Sequence, residues 1–359
     1  MVSAGGGRDN GGLIMILTLT DTNSAKISSA LLKARRSAGS PAMGMVLTLI
    51  VVCDESEYEP AMKAGMQAGR EHPSRILLVV TGPGRNSSLN AEVRIGEGTP
   101  GEVVIVRMRG AVAAHPASVI RPLLLPDSPV VIWWPGKSPA NIAEDELAHL
   151  AGRRLTDAST AGRPLAALRT RAETYRPGDT DLSWTRTTPW RALLAAALDQ
   201  YPSKITSILV EAERNNPSAD LLSAWLGSRL KLAVTRRVSG GPGITAARLG
   251  TAAGDIAITR PDGLLASYAV PGQPERLVAL KRRDLTDLIS EDLRRMDSDN
   301  VYETTVKSLA RQPKAKEART RKATTKKATA KKATAKKPAT KKSAAKRGGA
   351  RVSSGRSGG

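Results

Sequence analysis

Residues 45–80 read MVLTLIVVCDESEYEPAMKAGMQAGREHPSRILLVV, and this stretch decides the fold class. It begins with a continuous aliphatic run at residues 45–52, a pattern typical of a strand that is buried on both faces of a sheet. Residues 58–71 are predicted to form a helix, and a second apolar run at 75–80 predicts another strand. This strand–helix–strand order indicates helices packed on a largely parallel or mixed sheet.

The same alternation continues on both sides of this stretch. Further strands are predicted at residues 14–19, 91–95, 102–107 and 130–134, and a further helix around 141–150. After a polar, irregular segment at 153–181, helices are predicted to begin at Thr188–Pro189, at Ser218 and at residue 285, with strands at 205–210, 232–237, 246–250, 255–260 and 264–270. We therefore expect an α/β protein with two α/β units, each a mixed sheet flanked by helices, at residues 15–170 and 171–310.

The net charge of +22 is concentrated at the carboxyl end of the 359-residue chain. Residues 311–359 contain 18 Lys or Arg and one acid, so they carry +17 of that charge. A Lys- and Ala-rich five-residue repeat fills much of this tail, matches neither a helix nor a strand, and offers little apolar surface to bury. We expect residues 311–359 to be disordered, and the Gly-rich residues 1–14 likewise.

The sequence offers few catalytic constellations. The single cysteine, Cys53, excludes an internal disulfide, and its apolar surroundings predict a buried thiol without a redox role. Motifs for a serine nucleophile, a bound zinc ion or a nucleotide phosphate do not occur, so we expect no catalytic residue, no metal and no cofactor. Residues 239–243 are Gly-rich but lack the lysine of a phosphate-binding loop and predict a plain turn. Ser74 and Arg75 are a possible anion-binding pair, although a connecting turn is the more ordinary interpretation.

Tryptophan is the unusual residue type, because the chain has five Trp and no Phe. Trp133 and Trp134 are adjacent at the end of a predicted strand, where neighbouring side chains point to opposite faces. Both can be buried only if the sheet is covered on both sides. Each tryptophan singly is more often a core residue, yet Trp is also enriched at protein interfaces.

Apolar runs long enough to span a membrane do not occur, nor does a secretory signal pattern. We therefore expect a cytoplasmic protein without a membrane partner.

Several segments together resemble the glucose-6-phosphate dehydrogenase assembly protein family, OpcA. They are ILTLTDTNSAKISSALLKAR after Met15, AMKAGMQAGREHPSRILLVV (61–80), LLLPDSPVVIWWPGKSP (123–139), DTDLSWTRTTPWRALLAAALDQ (179–200) and DLLSAWLGSRL (220–230). The Trp-Trp pair and the Ser-Trp-Thr-Arg-x-Thr-Pro-Trp-Arg string are the most specific of these. The Lys- and Ala-rich tail is not part of the common family pattern.

The resemblance implies a non-catalytic factor that promotes the active oligomer of glucose-6-phosphate dehydrogenase, and so the NADPH supply of the oxidative pentose phosphate pathway. Six residues are our candidate anchors for that partner: Trp133, Trp134, Trp184, Arg186, Trp190 and Arg191. Two alternatives stay open: a lactonase-like enzyme acting on a sugar phosphate, and a nucleic-acid-binding protein acting through residues 311–359.

Overall fold

The computed structural model describes residues 2–9, 12–37, 44–96 and 101–312, and these form two β-sheets with flanking helices. The first sheet has nine strands: β1 (Val2–Asp9), β2 (Gly12–Leu19), β3 (Leu47–Cys53), β4 (Ser74–Gly82), β5 (Ser88–Gly96), β6 (Gly101–Arg109), β7 (Val130–Trp133), β8 (Arg153–Thr156) and β9 (Asp179–Asp181). The second sheet has six: β10 (Ser207–Ala212), β11 (Val234–Val238), β12 (Ile244–Thr251), β13 (Gly254–Thr259), β14 (Leu265–Ala269) and β15 (Arg276–Ala279).

The α-helices of the described residues lie between and after these strands. They are α1 (Ser24–Ser37), α2 (Tyr58–Glu71), α3 (Pro116–Ile120), α4 (Pro164–Glu173), α5 (Leu182–Thr185), α6 (Thr188–Gln200), α7 (Pro217–Leu230), α8 (Leu285–Leu293) and α9 (Asn300–Arg311). None of the helices in the described ranges is long and apolar enough to cross a membrane.

The first sheet is mixed, in the order β1–β2–β5–β6–β4–β3–β7–β8–β9. The strands from β6 to β9 in this order are all parallel to their neighbours, and β1, β2 and β5 add antiparallel pairings at one side. Helix α1 packs on one face, and helices α2 and α8 pack on the other. Because both faces are covered, β3 and β4 are buried along almost their whole length, as their aliphatic sequences predict.

The second sheet has the order β11–β10–β12–β13–β14–β15. Only β10 and β11 are parallel, and the other pairs are antiparallel. Helices α6 and α7 pack on one face through a shared apolar core. The α/β class with two mixed sheets is therefore confirmed.

The segment at 153–181, predicted as irregular, contains β8, α4 and β9. Strands of three and four residues are too short to produce a recognisable alternation in sequence. Strand β9 extends the first sheet and α8 packs on it, although both lie beyond residue 170. The described residues up to Gln312 belong to one compact unit, and β9 lies in the first sheet, so the predicted boundary at 170/171 does not separate the two sheets cleanly.

Two other segments also differ from the sequence prediction. The predicted helix at 141–150 is two short 3₁₀ turns, because the side chains of Asn141 and Asp145 accept backbone N–H groups that a continuous helix would use. Residues 1–14, expected to be disordered, include β1 and the start of β2. An antiparallel ladder needs only backbone groups, which a Gly-rich sequence supplies without any side-chain pattern. The predicted tail lies outside the described residues from position 313 onward.

Candidate functional site

The four candidate tryptophans are core residues. Trp133 and Trp134 are 0% and 2% exposed, and Trp184 and Trp190 are 3% and 1% exposed. Trp133 lies in the core shared with α2 and α8, whereas Trp134 lies in the core on the opposite face of the sheet. The condition for burying both indoles, a sheet covered on both sides, is met. A docking anchor requires an exposed side chain, and none of these four tryptophans is exposed.

The segment around Trp184 and Arg191 is held by contacts within the fold. Trp184 donates its indole N–H to Asp299 Oδ2 at 2.9 Å, and the Arg191 guanidinium stacks 3.7 Å from the centre of its ring. Arg191 also donates to the hydroxyls of Thr187 and Thr188, both at 3.0 Å. Burial lowers the pKa of Arg191 to about 10, and the charges of Asp299 and Glu291 oppose the shift. These contacts hold α5 and α6 in place.

Arg186, the other candidate arginine, is half-buried. Its guanidinium makes a bidentate ion pair with Asp157, at 2.8 and 2.6 Å, and 28% of its side chain is exposed. A bidentate pair leaves part of the guanidinium edge available to a second acceptor. A role of Arg186 or Arg191 in partner binding stays a prediction.

Ser74 and Arg75 begin β4, at its amino end. Arg75 is 5% exposed and pairs with Glu102 through Nε and Nη2, both at 2.7 Å, while Nη1 donates to the Leu123 carbonyl at 2.6 Å. Glu102 also accepts from Arg35. Because each of its three guanidinium nitrogens is already engaged by Glu102 or the Leu123 carbonyl, Arg75 is not displayed to an anion. Arg75 thus connects the first sheet, through Glu102, to the segment before β7, through Leu123.

The crevice where open α/β sheets bind ligands lies between the carboxyl ends of β3 and β7, since the strand order reverses there. Carboxylates follow β3 at this point: Asp54, Glu55 and Glu57. The Glu57 carboxylate packs so closely on Gly136, after β7, that a Cβ at Gly136 would lie 1.4 Å from it. Acids at the start of α2 repel the phosphates that a dinucleotide site must attract. Groups of His, Cys, Asp or Glu able to hold a metal ion do not occur among the described residues.

The second sheet presents a different kind of surface, which we call the open face. Alternate residues of its strands point away from α6 and α7, and most are short, half-buried or exposed. Leu277 is 74% exposed and Leu265 is 52% exposed. Leu265 pairs with Ala279, which is two residues after Leu277 and therefore on the same face of β15, so the two leucines are diagonal neighbours. Strand β15, which carries Leu277, is also an edge strand. Contiguous exposed apolar patches mark many protein-binding surfaces, and these two leucines lie on one face.

Charged residues lie at the other side of the open face. Glu211 and Arg237 form an exposed ion pair at 2.8 Å between β10 and β11. The open face thus combines an apolar end with a polar end. Sequence reasoning missed it, although the apolar–polar alternation in β13 and β14 is a signal of a sheet with one uncovered face.

Comparison with known proteins places the chain in a family. Residues 66–173 match the N-terminal domain model of the glucose-6-phosphate dehydrogenase subunit, OpcA_G6PD_assem, and residues 177–306 match its C-terminal domain model, OpcA_G6PD_C. Together the two matches span most of the chain. The chain therefore belongs to the OpcA family of glucose-6-phosphate dehydrogenase assembly proteins.

Two solved structures show distant similarity to this chain. A 3-ketoreductase from Actinomadura kijaniata is 11% identical, with a TM-score of 0.41, over 74% of this chain and 94% of that chain. The transcriptional regulator Gal80p from Kluyveromyces lactis is 10% identical, with a TM-score of 0.41, over 76% of this chain and 92% of that chain. No curated protein matches the chain significantly.

Proposed function

We propose that this chain is a non-catalytic assembly and activating factor of glucose-6-phosphate dehydrogenase in the cytoplasm. The match of both family domains, over residues 66–173 and 177–306, carries the proposal. The carboxylates in the crevice between β3 and β7 support the proposal, because they disfavour a nucleotide or sugar phosphate where an α/β enzyme would bind one. The resulting rise in dehydrogenase activity would increase NADPH production in the oxidative pentose phosphate pathway.

The open face of the second sheet is our candidate for the surface that contacts the dehydrogenase. It offers exposed apolar side chains at Leu265 and Leu277 on one side and the Glu211–Arg237 ion pair on the other. An apolar patch with a charged rim is the usual anatomy of a specific protein interface. Of the four buried tryptophans, Trp190 then acts indirectly, because it lies in the core that joins α6 and α7 to this sheet.

Activation follows from preferential binding to one state of the enzyme. A factor that binds only the active oligomer shifts the equilibrium by its difference in affinity for the two states. Moving the balance from 1:99 to 99:1 requires roughly 5.5 kcal/mol of such preference. A protein interface of about 1,600 Å² with a few well-buried anchors supplies free energy of this order.

A titration tests the proposal. The purified full chain is added to its cognate dehydrogenase, and the rate of NADP reduction and the mass of the complex are followed together. We expect the rate and the active oligomer to rise in parallel and to saturate at one stoichiometry. Turnover of a sugar phosphate by the chain alone, or no association at micromolar concentration, would refute it.

Nucleic-acid binding through residues 311–359 is a second candidate function, favoured by the +17 charge of that segment. Such binding is independent of sequence and weakens steeply with salt, because each phosphate contact releases counterions. Binding to duplex DNA that persists unchanged from low to physiological salt would contradict this origin.

A further inference from the structure

A strongly basic cavity lies behind the second sheet, where α6, α7 and the segment after β15 meet. Five cationic side chains contribute to its wall: Arg186, Arg260, Lys281, Arg282 and Arg283. The lining residues of this cavity, all within the described ranges, include no Asp or Glu. A concentration of one sign of charge around a cavity attracts the opposite ion.

Two of these five cations are neutralised nearby. Arg186 pairs with Asp157, and Arg283 pairs with Glu291. The other three cations of the wall have no carboxylate within ion-pair distance among residues 2–9, 12–37, 44–96 and 101–312. The cavity therefore holds more positive charge than its protein neighbours balance.

Arg260 is the innermost of the three uncompensated cations. It is 5% exposed and lies over the Trp190 ring, with 5.1 Å between the guanidinium carbon and the ring centre. Two of its nitrogens donate to the carbonyls of Leu280 and Ile244, at 2.7 and 3.0 Å. Its buried Nε has no hydrogen-bond partner in the described structure. A buried cation held only by neutral carbonyls is costly unless an anion joins it.

Arg282 faces the same space as Arg260. A Cβ at Gly243 would lie 3.6 Å from Nη2 of Arg260 and 3.8 Å from Nε of Arg282, so both guanidinium groups flank this glycine. Gly243 has a φ of +68°, which favours glycine over other residues. Burial and then the charge of Arg282 lower the pKa of Arg260 to about 10, against an opposing contribution from Asp262. The fold thus holds two like charges close together, which an anion between them would stabilise.

The amino end of α7 adds neutral donors to the same cavity. Asn216 caps this helix by accepting the N–H of Ala219 at 2.8 Å. Ser218, in the first turn, lines the cavity, is 5% exposed, and its hydroxyl makes no hydrogen bond to the described residues. First-turn N–H groups of a helix carry a partial positive charge and bind anions.

We propose that this cavity binds a phosphate group, either as inorganic phosphate or as the monoester of a small metabolite. Its volume of about 60 Å³ holds roughly four to six water molecules at 10–15 Å³ each, which suits one tetrahedral oxyanion. Lys281 and Arg282 are exposed, so they form the rim through which an attached organic group would extend into solvent. Arginine guanidinium groups are well suited to phosphate because they donate two parallel hydrogen bonds.

Calorimetric titration of the full chain with inorganic phosphate, at constant ionic strength and without any dehydrogenase, tests the proposal. We expect saturable binding at one site per chain. Arg282→Gln should weaken it about tenfold, as expected for the loss of one charge-assisted hydrogen bond. Arg121→Gln is the matched control, because it removes the same charge from an exposed side chain outside the cavity. Its phosphate affinity should equal that of the unchanged protein.

The remaining arms identify the source of the phosphate. Glucose 6-phosphate that binds more tightly than inorganic phosphate would identify a monoester ligand, and equal affinity would identify the phosphate group alone. Glucose should not bind. Equal affinity of the Arg282→Gln and Arg121→Gln proteins would overturn the proposal, because the anion would then bind elsewhere, such as on residues 311–359. No saturable binding would overturn it too. Neither result depends on activation of the dehydrogenase.

Discussion

Replacing Leu277 by Lys should weaken binding to the dehydrogenase without unfolding the chain. Burial of a whole leucine side chain contributes about 2 kcal/mol, and Leu277 is 74% exposed in the free protein, so about 1.5 kcal/mol is available to a partner. Leu265 is 52% exposed and adds about 1 kcal/mol by the same reasoning. Because 1.4 kcal/mol corresponds to tenfold in affinity, the single change should cost about tenfold and the double change about 60-fold.

The assay is the concentration of chain that gives half-maximal activation of the dehydrogenase. Lys suits position 277 because β15 is an edge strand, where lysine is well tolerated. The control is Leu32→Lys on α1, which replaces a leucine that is 48% exposed but lies on the first sheet's side of the fold. All variants should keep their free energy of unfolding within about 0.5 kcal/mol, as surface changes do.

Two results would refute this reasoning. Equal activation by the Leu277→Lys, Leu265→Lys and unchanged proteins would mean that the open face does not contact the enzyme. A loss as large for Leu32→Lys as for Leu277→Lys would mean that the effect is not specific to the second sheet.

Three further predictions concern the interior. Trp190→Ala should lower the free energy of unfolding by about 3–5 kcal/mol in urea titrations, because it leaves a large cavity in a closed core; lost activation with unchanged stability would instead mark Trp190 as an anchor. Asp181→Asn should cost about 3–5 kcal/mol at neutral pH, because Arg171, 2.5 Å away, is left buried and unpaired. Although burial alone would raise the pKa of Asp181, Arg171 and hydrogen-bond donors hold it below its ordinary value. The contribution of Asp181 to stability is therefore present above that value and disappears as the pH falls through its folded-state pKa. The free energies of unfolding of the Asp181→Asn and unchanged proteins should therefore converge in acid. Burial, followed by the charge of Glu57, raises the pKa of Cys53 to about 12, so its thiol should resist a thiol reagent at pH 8 and react fully only in urea; fast labelling of the native protein would contradict this.

The tryptophans show how far sequence reasoning reaches toward the site. The adjacency of Trp133 and Trp134 in the sequence indicated correctly that burial of both indoles needs a sheet with two covered faces. Sequence could not tell whether α8, more than 150 residues later, would supply one of those covers. Their burial thus depends on contacts between distant parts of the chain, and their role as partner anchors stays a prediction.

The arginines show the same division between local and distant information. That Arg75 would be paired depends on Glu102, which reaches it only because β4 and β6 are neighbours in the sheet. That Arg260 and Arg282 would meet around Gly243 depends on how the loop before β12 approaches the segment after β15. Residue types and their spacing carry no information about such contacts between distant parts of the chain.

The sequence by itself determined the α/β class, most helix and strand positions, and the family, because apolar periodicity and local motifs are written within a few tens of residues. Only the tertiary structure decided which charges are neutralised, which tryptophans are covered and which sheet face remains open. Burial and ion pairing depend on the distances between side chains far apart in the chain, and those distances exist only once the two sheets and their helices have packed.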